Sequence, residues 1–234
     1  MTVRPVEVLD PAAFRANVEA RWIEFKRDRE PMVAALLEKK RPAVNRENTK
    51  RANEILKSRR SNDWRIEQVY ALVEKVVAIA RPVSPCKKGC AHCCHIPVLI
   101  TNDEAELIGR RIGVKPANAP ARYKGDPLPA SGYDTPCVFL DAHGACSIYE
   151  NRPLACRAYL VVDRDPLLCM HGEDGSNKVA YLDMRDYTDL LAMITAKQVV
   201  YVMDDGSQRP DPKPFPDKVG MLNEYFPHGK RYTR

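Results

Sequence analysis

Between Asn62 and Ala80 the apolar residues Ile66, Val69, Tyr70, Val73, Val76, Val77 and Ala80 recur at three- and four-residue steps. That period lines one face of an α-helix. Asn62 or Asp63 can cap it, and Arg81-Pro-Val-Ser-Pro85 breaks it. An earlier stripe, Phe14, Val18, Trp22 and Phe25, follows Asp10-Pro11, where Asp suits the N-cap and Pro the first helical position. Pro31 interrupts that helix or starts the next. Met32, Ala35 and Leu36 predict a short second helix that ends before Pro42. The stretch Asn45–Ser61 is polar and basic, with Ile55 and Leu56 as its only anchors. It reads either as a solvated helix or as a mobile arm.

After Pro85 the helical period is lost for some sixteen residues. Ile96–Ile100 is a short apolar run of extended type. Thr101-Asn-Asp-Glu104 has the form of a capping box, which predicts a helix over Glu104–Ile112 ending at Gly113. Pro116–Pro136 contains five prolines and predicts an irregular loop. Val138–Leu140 and Ala145–Tyr149 flank Asp141-Ala-His-Gly144 and predict a small hairpin. Pro153 opens another helix. Val179–Met203 is the last long periodic segment and predicts a helix with Leu182, Leu190, Leu191, Ile194 and Val199 in the core. From Asp204 the chain is rich in Pro and charge. It is expected to wrap the surface, anchored by Phe215, Met221, Leu222, Tyr225 and Phe226.

The 234 residues are 44% hydrophobic and 29% charged, which suits a folded chain with a sizeable core. No apolar run reaches the length of a membrane-spanning helix. The first ten residues have no apolar core of the secretory type, so the expected location is cytoplasmic. Residues 1–60 hold 15 Lys and Arg against 9 Asp and Glu, and the remainder is balanced, so the whole net charge of +6 belongs to the N-terminal quarter. The basic segment 39–60 suggests an acidic protein or nucleic acid as partner. It lacks interleaved aromatics, which argues against base stacking. No membrane association is expected.

All 8 cysteines lie between Cys86 and Cys169. Cys86, Cys90, Cys93 and Cys94 fall within nine residues. Cys137, Cys146, Cys156 and Cys169 follow, the first two flanking the predicted hairpin. In a reducing compartment thiols this close are metal ligands more often than disulfides. Side chains of adjacent residues in an extended segment point to opposite sides, so Cys93 and Cys94 suit two different sites, or two metals of one cluster. Zinc and iron–sulfur centres both take four cysteines, so spacing leaves the metal open: zinc or iron, the latter including an iron–sulfur cluster. His92, His95 and His171 stand near cysteines as alternative ligands, although a surface or supporting role is the better explanation of each. Glu104 could be a ligand or an acid/base group, but capping already accounts for it.

The string Cys86-x3-Cys90-x2-Cys93-Cys94 resembles the signature of the CxxCxxCC cysteine-cluster family, whose name is tied to zinc or iron chelation. The resemblance runs through Thr101-Asn-Asp-Glu104-Ala105 and Pro136-Cys137-Val-Phe-Leu140. It then continues through the block Cys146-Ser-Ile-Tyr149-Glu150-Asn-Arg152-Pro153-Leu-Ala-Cys156-Arg157, with Asp163 and Cys169 as a weaker continuation. It covers residues 84–170. Flagellin N-methylases carry a similar cluster, so the resemblance implies protein modification, such as lysine N-methylation, as one activity. Tyr149, Arg152 and Arg157 would then either bind an anionic substrate or serve as structural pairs. The spacing of the first three cysteines also resembles the radical S-adenosylmethionine loop. The residue before the third cysteine is His92 where those enzymes have an aromatic, and the strand–helix alternation of their barrel is missing.

The fold expected is mainly α, with a small irregular cysteine-rich metal-binding core and a short β-hairpin. Its parts are a helical region 1–83, a cysteine-cluster region 84–170 and a C-terminal region 171–234, packed as one domain. The function expected is metal binding through Cys86, Cys90, Cys93, Cys94, Cys137, Cys146, Cys156 and Cys169. Either redox or protein-modifying chemistry accompanies it, or zinc staples a module whose basic N-terminal region contacts a partner.

Overall fold

The structure, a computed structural model, describes residues 10–122, 126–129, 134–170, 178–196, 200–202, 208–210 and 219–228. It is mainly helical. Helix α1 (Pro11–Glu24) opens at Asp10, whose carboxylate accepts from the Ala12 amide at 3.2 Å. The chain then passes through one π-helical turn, Phe25–Arg29, directly into α2 (Glu30–Lys57). Pro31 lies in the first turn of α2, where its missing N–H is not needed.

The helix does not end before Pro42, as the sequence suggested; Pro42 sits exposed inside α2. An interior proline costs about 3 kcal/mol, and contacts on both sides of it outweigh that cost. Val33 and Ile55 are buried and Val44 packs against the same core. The buried Asn48 amide donates to the Leu72 carbonyl at 3.1 Å and to the Tyr187 hydroxyl at 2.8 Å. Residues 45–57 are therefore a docked helix, with Ile55 as the anchor and Leu56 left exposed.

Helix α3 (Asn62–Ala80) is capped one residue earlier than expected, by Ser61, whose hydroxyl accepts from the Trp64 amide. All seven residues of its stripe are buried, and so are Leu72 and Ile79. The buried face is wide because α2, α5 (Leu154–Ala158) and α6 (Arg185–Thr195) all pack on it. Tyr187, Leu190, Leu191 and Ile194 complete this larger core from α6.

The helix predicted over Val179–Met203 is thus confined to Arg185–Thr195. Before it the chain is extended: Val162 donates to the Ala180 carbonyl and Leu182 to the Leu160 carbonyl. Leu182 reaches the core from this extended segment. Beyond it β2 (Val200–Val202) pairs antiparallel with β3 (Gln208–Pro210). Val199 lies outside the described residues.

A second, smaller core contains Ile100, Ala105, Ile108, Phe139, Ile148, Leu222, Tyr225 and Phe226. Strand β1 (Leu99–Thr101) pairs antiparallel with β4 (Val219–Met221), which leads into α7 (Leu222–Tyr225). The tail anchors Met221, Leu222, Tyr225 and Phe226 are therefore core residues, and the Phe139 and Phe226 rings meet at 5.3 Å. Phe215 is outside the described residues. The expected hairpin at 138–149 shrinks to one bridge, Leu140 to Cys146. Its turn is held by the Asp141 carboxylate, which accepts from His143 and Ala145, and by Gly144 at φ +74°. Among the described residues of the proline-rich loop there is no helix, and its one ladder contact joins Arg122 to Val219. No described helix is long and apolar enough to cross a membrane.

Candidate metal centre

The cysteines sit where regular structure gives out, between the two cores. Cys86 follows the 3-10 turn Arg81–Val83 that ends α3. Gly89, at φ +91°, provides the left-handed turn that precedes Cys90. Cys93 and Cys94 lie in a 3-10 turn, His92–His95, and not in an extended segment. Their side chains consequently do not diverge: the two thiols hydrogen-bond each other. Cys137 and Cys146 flank the Asp141 turn, Cys156 is in α5, and Cys169 ends a 3-10 turn, Leu167–Cys169. All eight are free thiols, seven half-buried and Cys169 buried.

Backbone amides are aimed at the sulfurs in a repeated way. Cys90 accepts from the amide of His92, Cys137 from that of Phe139, and Cys146 from that of Ile148. Each is a two-residue step, so each turn wraps its own sulfur. Cys86 Sγ accepts from Val161 N at 3.5 Å, across 75 residues. Such N–H groups favour thiolate over thiol.

Cys93 is a common neighbour of the other thiols, influencing Cys90 and Cys169 on one side and Cys94, Cys137, Cys146 and Cys156 on the other. Cys169 lies within electrostatic reach of Cys86, Cys90 and Cys93, and Cys90 of Cys86 and Cys93. Cys94 faces Cys93, Cys137 and Cys146. Cys156 faces Cys93, Cys137 and Cys146. Cys86 packs against the larger core, whereas Cys137 and Cys146 pack against the smaller one. The amide of Cys137 donates to the Cys94 carbonyl at 2.6 Å, which fixes the second group to the first loop. Among the described residues no three His, Cys, Asp or Glu side chains are drawn together tightly enough to hold an ion. His92 and His95 share the turn of Cys93 and Cys94, and His171 is outside the described residues.

Burial pushes the Cys137 thiol up to about 11 and raises Cys90, Cys146, Cys156 and Cys169 as well. Cys93 moves the other way, to about 7, because the Cys94 thiol donates to it and the Arg152 guanidinium lies near. The charge of Arg152 also favours the thiolates of Cys146 and Cys156. Arg152 stacks on the Tyr149 ring at 3.8 Å and donates to the Tyr149 carbonyl. Arg157 lies over Tyr70, pairs with Glu74 at 3.1 Å and donates to the Arg152 carbonyl. These side chains brace the loop, and Arg152 is in addition the cation of the thiol site.

Glu104 has a task beyond capping. Its carboxylate accepts from Thr101 N as the capping box requires, and also from the Tyr70 hydroxyl and the Leu154 amide, both at 2.8 Å. Desolvation raises its pKa despite these bonds. It ties α3, α4 (Asn102–Ile112) and α5 together behind Cys156, and its partners leave it no role as a ligand. A cavity of about 260 Å³ opens on the outer side of this junction, lined by Glu67, Tyr70, Glu74, Arg111, Glu150 and Arg157.

Residues 85–183 match the family model CxxCxxCC, described as a putative zinc- or iron-chelating domain. The match reaches thirteen residues beyond Met170. Within it, residues 180–182 pair back on Leu160–Val162. No curated protein and no solved structure matches the chain. An all-sulfur donor set, with amides turned toward it and the half-buried Arg152 beside it, fits a soft or borderline metal such as zinc or iron.

Proposed function

We propose that the protein binds zinc or iron through two adjoining four-thiolate centres. Cys86, Cys90, Cys93 and Cys169 form one. Cys94, Cys137, Cys146 and Cys156 form the other. The observation that carries this reading is eight free thiols on neighbouring loops, Cys86 against the larger core and Cys137 and Cys146 against the smaller, with turn amides directed at their sulfurs. Bound metal would cross-link loops that hydrogen bonds alone leave loosely joined, a role that contributes folding free energy directly. The reading places the protein in a reducing cytoplasm, where thiols stay available. Iron–sulfur ligation and a redox or protein-modifying reaction belong to the same proposal. Elemental analysis of protein purified without oxygen tests it. Bound zinc or iron near two centres per chain supports it, and metal-free protein with eight reactive thiols contradicts it.

One observation favours a second reading, an interaction surface on α2. Lys39, Lys40, Arg46 and Lys50 are exposed, and no ion pair among the described residues occupies them. Reversing these four charges tests it. A loss of salt-sensitive binding to nucleic acid or an acidic protein supports the reading, and unchanged binding contradicts it.

A further inference from the structure

We infer that Arg21 and Arg29 are positioning residues for the Cys86–Cys90–Cys93–Cys169 centre, acting as a latch from outside the matched region. This rests on the two-centre reading above. Both arginines belong to the N-terminal helical rod, one on either side of the buried Phe25. The π turn between them is wider than an α turn, so residues 21, 25 and 29 keep to one face.

That face meets the two chain segments that deliver Cys86 and Cys169. Arg21, 4% exposed, donates Nε to Asp163 at 2.9 Å and pairs through NH2 with Asp165. Asp163 has no exposed side-chain surface. Its second oxygen lies 3.6 Å from Arg29 Nε. Arg29 also donates to the Val83 carbonyl at 3.3 Å, three residues before Cys86. Asp165 accepts from the Leu167 amide at 3.0 Å and so starts the turn that ends at Cys169. The Val161 amide, two residues before Asp163, donates to Cys86 Sγ.

Both approaches to the first centre are therefore held by the same two guanidiniums. Among the described residues the loops of the second centre are held instead by the Cys94 carbonyl, Glu104, Arg152, Arg157 and the smaller core. A planar, always-charged fork suits this task better than an ammonium, because one Arg21 must bridge two carboxylates.

The test compares the full chain with Arg21→Ala, Asp163→Asn, Arg21→Lys and Asp165→Ala. Asp165 is half-exposed, so its variant guards against a failure to fold. Each is measured by the metal-to-protein ratio and by alkylation rates of individual cysteines, read by mass spectrometry. The expected result is a loss of about half the metal in Arg21→Ala and Asp163→Asn. Cys86, Cys90 and Cys169 should alkylate about tenfold faster while Cys137, Cys146 and Cys156 stay within about twofold of the unsubstituted protein. Arg21→Lys and Asp165→Ala should fall between. Unchanged metal content and rates overturn the latch, and so does equal exposure of all eight thiols. Metal-free unsubstituted protein would instead overturn the two-centre reading. In that event equal acceleration of Cys169 and Cys137 still overturns the latch.

Discussion

Glu104 shows how one residue can be explained twice. The Thr101–Glu104 spacing names it as a cap, and the cap is present. Its hold on Tyr70 and Leu154, 34 and 50 residues away, has no local signature. Glu104→Ala would leave the Tyr70 hydroxyl and the Leu154 and Thr101 amides without partners. Urea denaturation should show a loss of about 3–5 kcal/mol; a change below about 1 kcal/mol would mean that water replaces the carboxylate. Arg152 is the opposite case. Sequence marked it as part of a motif and left its role open between substrate and salt bridge; the structure turns its charge toward Cys93, Cys146 and Cys156. Arg152→Ala should weaken metal retention about tenfold or more in competition with a chelator at neutral pH, while Arg152→Lys should retain part of it. Equal retention in the alanine variant would remove Arg152 from the site.

Elements were legible where one local pattern decides them. The α3 stripe, the Asp10-Pro11 start, the α4 capping box and Gly113 at φ +72° all follow from neighbours in sequence. Elements failed to be legible where distant packing overrides a local rule. Pro42 stays helical because Val33, Asn48 and Ile55 are held on α3 and α6. Residues 178–183 are extended because Leu160 and Val162 offer them a ladder. Cys93 and Cys94 share a 3-10 turn in place of the extended segment assumed for them, so alternation cannot be the reason for assigning them to separate centres. Strand β4 is the clearest case, since a charged, proline-rich tail hid a core strand. A Cβ at Gly220 would lie 2.9 Å from both Ala119 Cβ and Tyr225 Cε2. Gly220→Ala should therefore destabilise the smaller core by about 1–3 kcal/mol and speed alkylation of Cys137 and Cys146 ahead of Cys86. Uniform alkylation, or no loss of stability, would show that β4 is not what holds that side.

At the scale of the molecule, two hydrophobic cores flank a loop-rich seam that holds all the thiols. The clustering of eight thiols within 84 residues is plain in the sequence alone. How the loops that carry them are held is not, because it depends on Asp163, Val161 and Ala180, which are brought in from other segments. The raised thiols give a pH test. Cys137 holds its proton up to about 11 in the folded chain, from an ordinary value of 9.0. The folded state thus binds more protons than the unfolded state between these values, and the metal-free protein should lose stability as pH rises through that window. The lowered Cys93 acts below pH 9 and leaves the window untouched. Metal-loaded protein already holds thiolates and should show no such loss, but it should release metal as pH falls. Matching melting curves with and without metal from pH 8 to 11 would contradict this.

The most direct measurement is the zinc, iron and labile sulfide content of the anaerobically purified full chain, taken with its visible spectrum. About two metal centres per chain are expected: about two zinc ions with no colour, or iron with sulfide and visible absorption. Protein that folds and melts identically without either metal, with all eight thiols open to alkylation, would contradict it.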